Sequence, residues 1–264
     1  MISLIISFYK RLDFLELIFQ SLDKQSFKDF EVIVAEDNND QQTIEFITNA
    51  RLNHSYRILH VSQEDKGFRK NKILNEALKI ASSETILFLD GDCIPHKNFI
   101  QYYRNNITRG NAYFGRRVML GEAYSSNLLL RKEFRSLKIL PMLFSDSKNI
   151  EEGLYLPWYR KFKKGYRGML GCNWGINKQA LVEVNGFDED YILPAIGEDH
   201  DIEWRLCLNG VQFNSLKHRA IVYHLYHPEN YNNEIVEINI AIFEEKKRRQ
   251  NPICLNGLIK ISNK

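Results

Sequence analysis

The chain has 264 residues, 44% of them hydrophobic and 26% charged, with 14 glycines and 6 prolines, which excludes wholesale disorder and collagen-like or low-complexity character. A chain of this length buries roughly three quarters of its unfolded surface and needs no disulfide or metal staple to fold. With 36 basic against 33 acidic residues, the formal charge of +3 gives no case for a nucleic-acid partner, and none is expected.

The first hundred residues alternate short β-rich apolar runs with amphipathic stretches, the mark of βαβ units and a mainly parallel sheet. Strand one is Ile2 to Ser7. It lacks a basic leader and a small-residue cleavage site, so a signal peptide is not expected. A helix is predicted from Arg11 to Gln25, with Leu12, Leu15, Ile18 and Leu22 near helical spacing. Strand two follows at Phe30 to Ala35, a helix at Gln41 to Leu52, and strand three at Tyr56 to Val61. Asn71 to Ala81 reads as helix three, and Glu84 to Leu89 as strand four. This last run is apolar throughout, as expected where both faces of a sheet are covered.

Beyond it, Ile100 to Arg109 reads as helix and Asn111 to Leu120 as strand. Residues 124–171 form a basic, aromatic insertion that joins Arg131, Lys132, Arg135 and Lys138 to Leu128, Leu129, Leu130, Leu137, Ile139, Leu140 and Phe144. Three placements fit it: burial in the core, a cover over the acceptor cleft, or peripheral contact with an anionic membrane surface. Regularity returns with a strand at Gly171 to Asn177, a helix at Lys178 to Asn185, a turn at Gly186, and a helix from about Asp199 to Asn209. The tail from Asn232 reads as a helix carrying the basic block Lys246 to Arg249, free to meet lipid headgroups or water, before a proline-broken end. Cys93, Cys172, Cys207 and Cys254 are scattered without a CxxC pair, which fits a reducing compartment. No uncharged apolar run approaches the roughly 20 residues of a membrane helix, and a cytoplasmic location, with or without peripheral contact at the inner face of the membrane, is expected.

Ligands of open α/β sheets bind at the carboxyl ends of strands. Asp37 follows strand two, Arg69 precedes helix three, and Asp90-Gly91-Asp92 follows strand four. Two carboxylates around a glycine at a strand end suit a divalent Mg²⁺ or Mn²⁺ with diphosphate oxygens; the plainer reading is a solvated turn.

The company of these residues is informative. Ser7-Phe8-Tyr9-Lys10, Ala35-Glu36-Asp37-Asn38-Asn39, the Gly67-Phe68-Arg69 stretch with Asn75, and Asp90-Gly91-Asp92 stand in order. They are followed by Gly171-Cys172-Asn173-Trp174-Gly175-Ile176, Gly186-Phe187-Asp188-Glu189 and Gly197-Glu198-Asp199-His200-Asp201. This series resembles the family 2 glycosyltransferases of GT-A fold. The resemblance runs from Ile2 to about Pro228 and implies a Rossmann-like, mainly parallel sheet flanked by helices, with a smaller acceptor-side region. It divides the chain into a nucleotide-sugar part (1–110), an acceptor-binding and catalytic part of the same domain (111–230), and a C-terminal helical tail (231–264).

The resemblance also implies roles. Asp37 would bind uracil, and Phe8, Tyr9, Arg11, Arg69, Lys72, Asp90 and Gly91 would complete the nucleotide side. Phe8 lacks a hydroxyl that some members use on the base, so a backbone contact would serve. Asp92 would hold Mn²⁺ or Mg²⁺, with a histidine after the acidic pair as a further ligand; His224 is favoured over His227, and the choice stays open. Asp199 would be the base, Glu198 would assist and bind acceptor or sugar, and Asn173 and Trp174 would line the acceptor side. The reaction implied is an inverting transfer from a UDP-sugar to a saccharide or lipid-linked saccharide, as in the synthesis of cell-surface polysaccharide or lipopolysaccharide. Two other readings compete. A sugar nucleotidyltransferase would bring a glycine-rich loop after strand one, which Ser7 to Asp13 lacks. A catalytically silent sugar-nucleotide-binding module would need no Asp92 or Asp199, and both are present. Nothing in the sequence fixes the sugar, the acceptor or the oligomeric state.

Overall fold

The computed structural model describes residues 1–132, 134, 137, 139–159, 168–194, 197–228 and 232–262. A parallel core is made of β1 (Ile2–Phe8), β2 (Phe30–Glu36), β3 (Arg57–Ser62) and β4 (Thr85–Asp90). β1, β2 and β4 are buried almost throughout because helices cover both faces, whereas β3, at the sheet edge, is fully buried only at Ile58. On one face lie α1 (Leu12–Leu22) and α2 (Gln41–Asn53), which bury Phe14, Leu15, Ile18, Leu22 and Ile47. On the other lie α3 (Lys70–Ile80), α7 (Lys178–Glu183) and α8 (Glu198–Leu208), whose Ile73, Leu74, Leu78, Leu181, Ile202 and Leu206 share a second cluster with Phe88 and Trp174.

The sheet has seven strands in the order β3-β2-β1-β4-β8-β6-β9. β8 (Asn173–Asn177) runs antiparallel to both β4 and β6 (Asn111–Phe114), and β9 (Gln212–Ser215) closes the edge parallel to β6. A smaller sheet places β10 (Ile221–His224) between β5 (Cys93–Pro95) and β7 (Arg116–Met119). It brings His224 opposite Cys93, one residue beyond Asp92. The fold is therefore α/β with a mainly parallel central sheet flanked by helices.

The single strand predicted from Asn111 to Leu120 is two strands in two sheets. They part at Gly115, whose amide donates to Asn173 O at 3.0 Å and where a Cβ would stand 2.0 Å from Ala220 O. No side chain fits there, and the chain switches sheets at the one residue that has none. β5 and β9 escaped the sequence reading because runs of three and four residues show no usable periodicity.

The insertion is neither wholly core nor wholly surface. Leu128, on α5 (Glu122–Arg131), and Met142, on α6 (Ile139–Leu143), are buried, and Leu129 and Leu137 pack against the core. Leu130, Leu140 and Phe144 are exposed. Lys132 pairs with Glu16, while Arg135 and Lys138 lie outside the described residues.

The basic block of the tail is largely paired with acids of this chain. On α9 (Asn233–Arg248), Lys246 bridges Asp188 and Asp190, both at 2.6 Å, and Lys247 pairs with Glu244; Arg249, just beyond the helix, pairs with Glu245. Among the described residues no helix is long and apolar enough to cross a membrane.

Arg205 locks the far side of α8. It is 2% exposed, donates to Asp201 at 2.7 Å and to the carbonyls of Val184 and Gly186 at 2.8 and 2.9 Å. Removing one partner of a buried ion pair strands the other charge, so Arg205→Met should cost about 3–5 kcal/mol in urea unfolding. A loss below about 1 kcal/mol would show the pair to be dispensable, as exposed pairs are.

Candidate active site

The ends of β1, β2 and β4 open on one side of the sheet, and the N-terminus of α3 faces them. Asp37, just past β2, is 8% exposed. Its Oδ2 accepts from the Arg69 amide at 2.6 Å and its Oδ1 from Gln63 Nε2 at 2.6 Å, while its own amide donates to Phe8 O at 3.0 Å. Burial pushes its carboxyl upward, against the pull of these donors. The carboxylate is thus fixed in direction by backbone and amide, and the Arg69 guanidinium turns away to Glu64 O. Beside it, Tyr9 and Lys10 both donate to Asp65 Oδ2, at 3.1 and 2.9 Å.

Asp90 and Asp92 part company because Gly91 lies against β1. Its amide donates to Ser7 O at 2.7 Å, and a Cβ would stand 2.7 Å from that oxygen. Asp90 turns toward Ser7 Oγ at 2.6 Å and Lys70 Nζ at 2.9 Å. Asp92 turns the other way, to His227 Nε2 at 3.1 Å and His224 Nε2 at 3.4 Å. One atom from each of Asp92, His224 and His227 lies within 4.8 Å of the others. Burial opposes the charge of Asp92, but the two imidazoles outweigh it and hold its carboxyl well below the ordinary range. One carboxylate and two imidazoles with room between them are a donor set that fits a divalent transition ion such as Mn²⁺. Both histidines stand beside Asp92.

The second acidic pair opens α8. Gly197, at φ 136°, delivers the chain into Glu198 and Asp199. Asp199 Oδ2 accepts from the Gly171 amide at 2.9 Å, and glycine is required there because a Cβ would stand 2.1 Å from Asp199 Oδ1. Glu198 is 6% exposed, and its Oε2 is buried without a partner. Burial and then the charge of Asp199 push its carboxyl up to about 8. Asp199 is raised as well, chiefly by burial. A small cavity lined by Ser7, Lys70, Asp90, Gly171, Trp174 and Asp199 joins Asp199 to the β4 end. Lys70 is its ammonium: burial disfavours the charge, but Asp90, Asp199 and Glu198 together outweigh that and raise it.

The structure thus brings together Asp37, Arg69, Asp90, Asp92, Glu198, Asp199, His224 and His227 near one end of the sheet. Other candidates fall elsewhere. The Phe8 side chain is 3% exposed, in the core, and its carbonyl is taken by Asp37. Arg11 pairs with Asp13 at 2.7 Å and lies over the Phe14 ring, although its charge is felt at His227. The lysine of the cavity is Lys70, not Lys72 two positions further along the helix; both follow Arg69 in the same basic run. Asn173 is wholly buried and spent on structure: it accepts from Tyr103 at 2.5 Å and donates to Arg116 O and Ala220 O at 3.0 Å. Trp174 lines the cavity but is stacked on Phe88 at 4.6 Å and is 1% exposed. Gln63 carried no sequence signal, since a lone glutamine in a polar loop has no pattern.

A GT-A glycosyltransferase is the class that this sheet, this acidic strand end and this helix-borne acidic pair define. The chain matches the family described as glycosyl transferase family 2 over residues 3–181, and a galactosyltransferase domain family over residues 158–228. It belongs to glycosyl transferase family 2. It is 23% identical to the chondroitin synthase of Escherichia coli across 91% of this chain and 37% of that protein. It is 24% identical to the validoxylamine A glucosyltransferase of Streptomyces hygroscopicus across 80% of this chain and 52% of that one. The chain therefore spans about half or less of the curated relatives it matches. Among solved structures it superposes on the Pyrobaculum calidifontis mannosyltransferase in complex with GDP-Man and Mn²⁺ with a TM-score of 0.61 at 14% identity, covering 94% of this chain and 64% of that one. S. aureus TarS in complex with UDP-GlcNAc gives 0.57 at 17%, covering 91% and 65%. At those identities the structures speak to the fold alone.

Glu198 carries a stability signature. Its folded pKa, about 8, lies above its ordinary 4.5, so the folded chain keeps a proton that the unfolded chain has released. Its contribution is complete below pH 4.5 and lost as pH rises through about 8. Melting curves from pH 4.5 to 8 should show the parent falling relative to Glu198→Gln; parallel curves would place the Glu198 carboxyl at its ordinary value.

Proposed function

We propose that the enzyme transfers a sugar from a UDP-sugar to a hydroxyl of a saccharide, free or lipid-linked, with inversion at the anomeric carbon and with a divalent metal, within the assembly of a larger glycan. The meeting of Asp90, from the end of β4, and Asp199, from the start of α8, at one cavity beside Lys70 carries this reading. Asp37, held by the Arg69 amide and Gln63, would accept from the uracil ring. Asp90 would face the ribose. Asp92, His224 and His227 would hold Mn²⁺, which supplies charge compensation for the leaving diphosphate.

Asp199 is the group proposed to take the acceptor proton as its oxygen attacks. It lines the cavity, and its anchoring by the Gly171 amide leaves Oδ1 without a hydrogen bond among the described residues. Glu198, kept neutral near pH 7 by burial and by Asp199, would donate to an acceptor or sugar oxygen instead of competing as base. A carboxyl that stays protonated beside an ionised one divides the roles of donor and base between neighbours. Lys70 would balance the charge of Asp90 and Asp199 until the diphosphate arrives. The relatives support the donor and acceptor classes: a chondroitin synthase, and TarS with UDP and UDP-GlcNAc. A GDP-Man complex also stands among the neighbours, so the base must be tested directly.

Two measurements do so. In Mn²⁺, UDP should raise the melting temperature more than GDP or ADP, and Asp37→Ala should abolish the difference; equal shifts for all three nucleotides remove the uracil assignment. With UDP-glucose, UDP-galactose, UDP-GlcNAc, UDP-GalNAc and UDP-glucuronate, slow UDP release should appear with at least one donor and stop on chelation of the metal. Asp199→Asn should lower transfer and this release by roughly a hundredfold to ten-thousandfold, the range of general acid–base catalysis. Full activity in that variant would falsify the base assignment.

A further inference from the structure

The C-terminal helix α9 is solvated on most of its surface, yet it carries one wholly buried side chain, Asn239, the only buried residue described along it. Asn239 Nδ2 donates to Leu193 O and Pro194 O, both at 3.1 Å. Those carbonyls lie in the strap of residues 189–194 that follows the Phe187–Asp188 turn. The same helix presses on Gly197: a Cβ there would stand 2.9 Å from Asn239 Cβ and 3.2 Å from the Tyr191 ring. Gly197 is the residue whose φ of 136° sets the direction in which Glu198 and Asp199 leave the strap. One turn further along α9, Phe243 meets His200 and Trp204 of α8, each at 6.2 Å between ring centroids. Lys246 then ties the start of the strap through Asp188 and Asp190.

Burying an amide costs free energy unless it is bonded, so a lone buried asparagine on a solvated helix is retained for what it holds. A leucine of similar size would pack the same space without that cost. We infer that Asn239 is a positioning residue: through Leu193, Pro194 and Gly197 it fixes where Glu198 and Asp199 stand relative to the donor. Residues 232–248 are thereby part of the catalytic apparatus and not a trailing segment. The inference rests on the reading of Asp199 as base but names a residue that touches neither donor nor metal. Its mark is a fall in turnover without loss of donor binding, because among the described residues the side-chain bonds of Asp37, Asp90, Asp92, His224 and His227 go to partners outside α9.

The experiment compares Asn239→Asp, which keeps the shape and loses the donor, with Asn239→Leu, which keeps the volume. UDP release is measured with the best donor of the panel in Mn²⁺, and UDP binding by thermal shift. Misplacement of a base by a fraction of an ångström costs on the order of tenfold to a hundredfold. Both variants should lose kcat by that amount while KM and the UDP-induced shift stay within about twofold of the parent. Phe243→Ala, a half-buried residue reaching α8 by a separate contact, should show the same split on a smaller scale, and it serves if the Asn239 variants do not fold. Parent-like kcat in folded Asn239→Asp, or a parallel loss of kcat and UDP binding, overturns the inference. Asp199→Asn on the same donor separates the two claims: if it keeps its activity, the proposed function fails first, whereas an inactive Asp199→Asn beside a fully active Asn239→Asp defeats the positioning role alone.

Discussion

A single ammonium makes the cavity electrostatically tolerable. Asp90 and Asp199 line it and the buried Glu198 acts on it through its charge, and isolated carboxylates in such a place would take up protons. Lys70 stands 2.9 Å from Asp90 and within the field of the other two, so one charge holds together acids brought from opposite parts of the sequence. The acids do not share it equally. Asp90 has the direct bond, Asp199 has the Gly171 amide as well, and Glu198 has neither and carries a proton instead. This inequality gives two adjacent carboxyls different chemistry without any difference in their own structure.

Lys70 is where it is because of α3, which supports both sides of the cleft. Its first residues present the Arg69 amide to Asp37 and the Lys70 ammonium to Asp90. Its buried face sends Asn71 to Asp188 O, and Asn75 to both the carbonyl and the amide of Phe187. A rigid helix of this length therefore couples the nucleotide side to the turn from which the strap and α8 depart. The apolar stripe of Ile73, Leu74, Ala77 and Leu78 against β1 and β2 keeps it from rotating, because rotation would expose those side chains and unpair the asparagines together.

Much of this was legible in the sequence because it lies on long, periodic elements. Strands one to four and helices one to three were readable from alternation and helical spacing, and acids at strand ends stood out against apolar runs. The acidic pair at Glu198 was visible for the same reason, at the start of a helix. The less legible features were those in which a residue's role depends on what is opposite it. Asn173 looks like a cleft residue and is a fully bonded strut; Phe8 looks like a base contact and is core. Lys70 and Lys72 are indistinguishable until the helix phase is known to a single residue. Gln63 and Asn239 have no pattern at all, since a lone polar residue announces itself only when its surroundings are dry.

The antiparallel insertion of β8 between β4 and β6 bears on how the chain comes to be folded. β4 is complete by residue 90, but one of its edges is covered only by a strand that begins at Asn173. Until then Ile86, Leu87, Phe88 and Leu89 present an open apolar edge, the kind of surface through which partly made sheets pair with one another. The first four strands are consequently not a separable module: a fragment ending near residue 110 would leave that edge of β4 bare and be prone to aggregate. Assembly of the later residues is at once what brings Asp199 to Asp90 and what covers the open edge of β4.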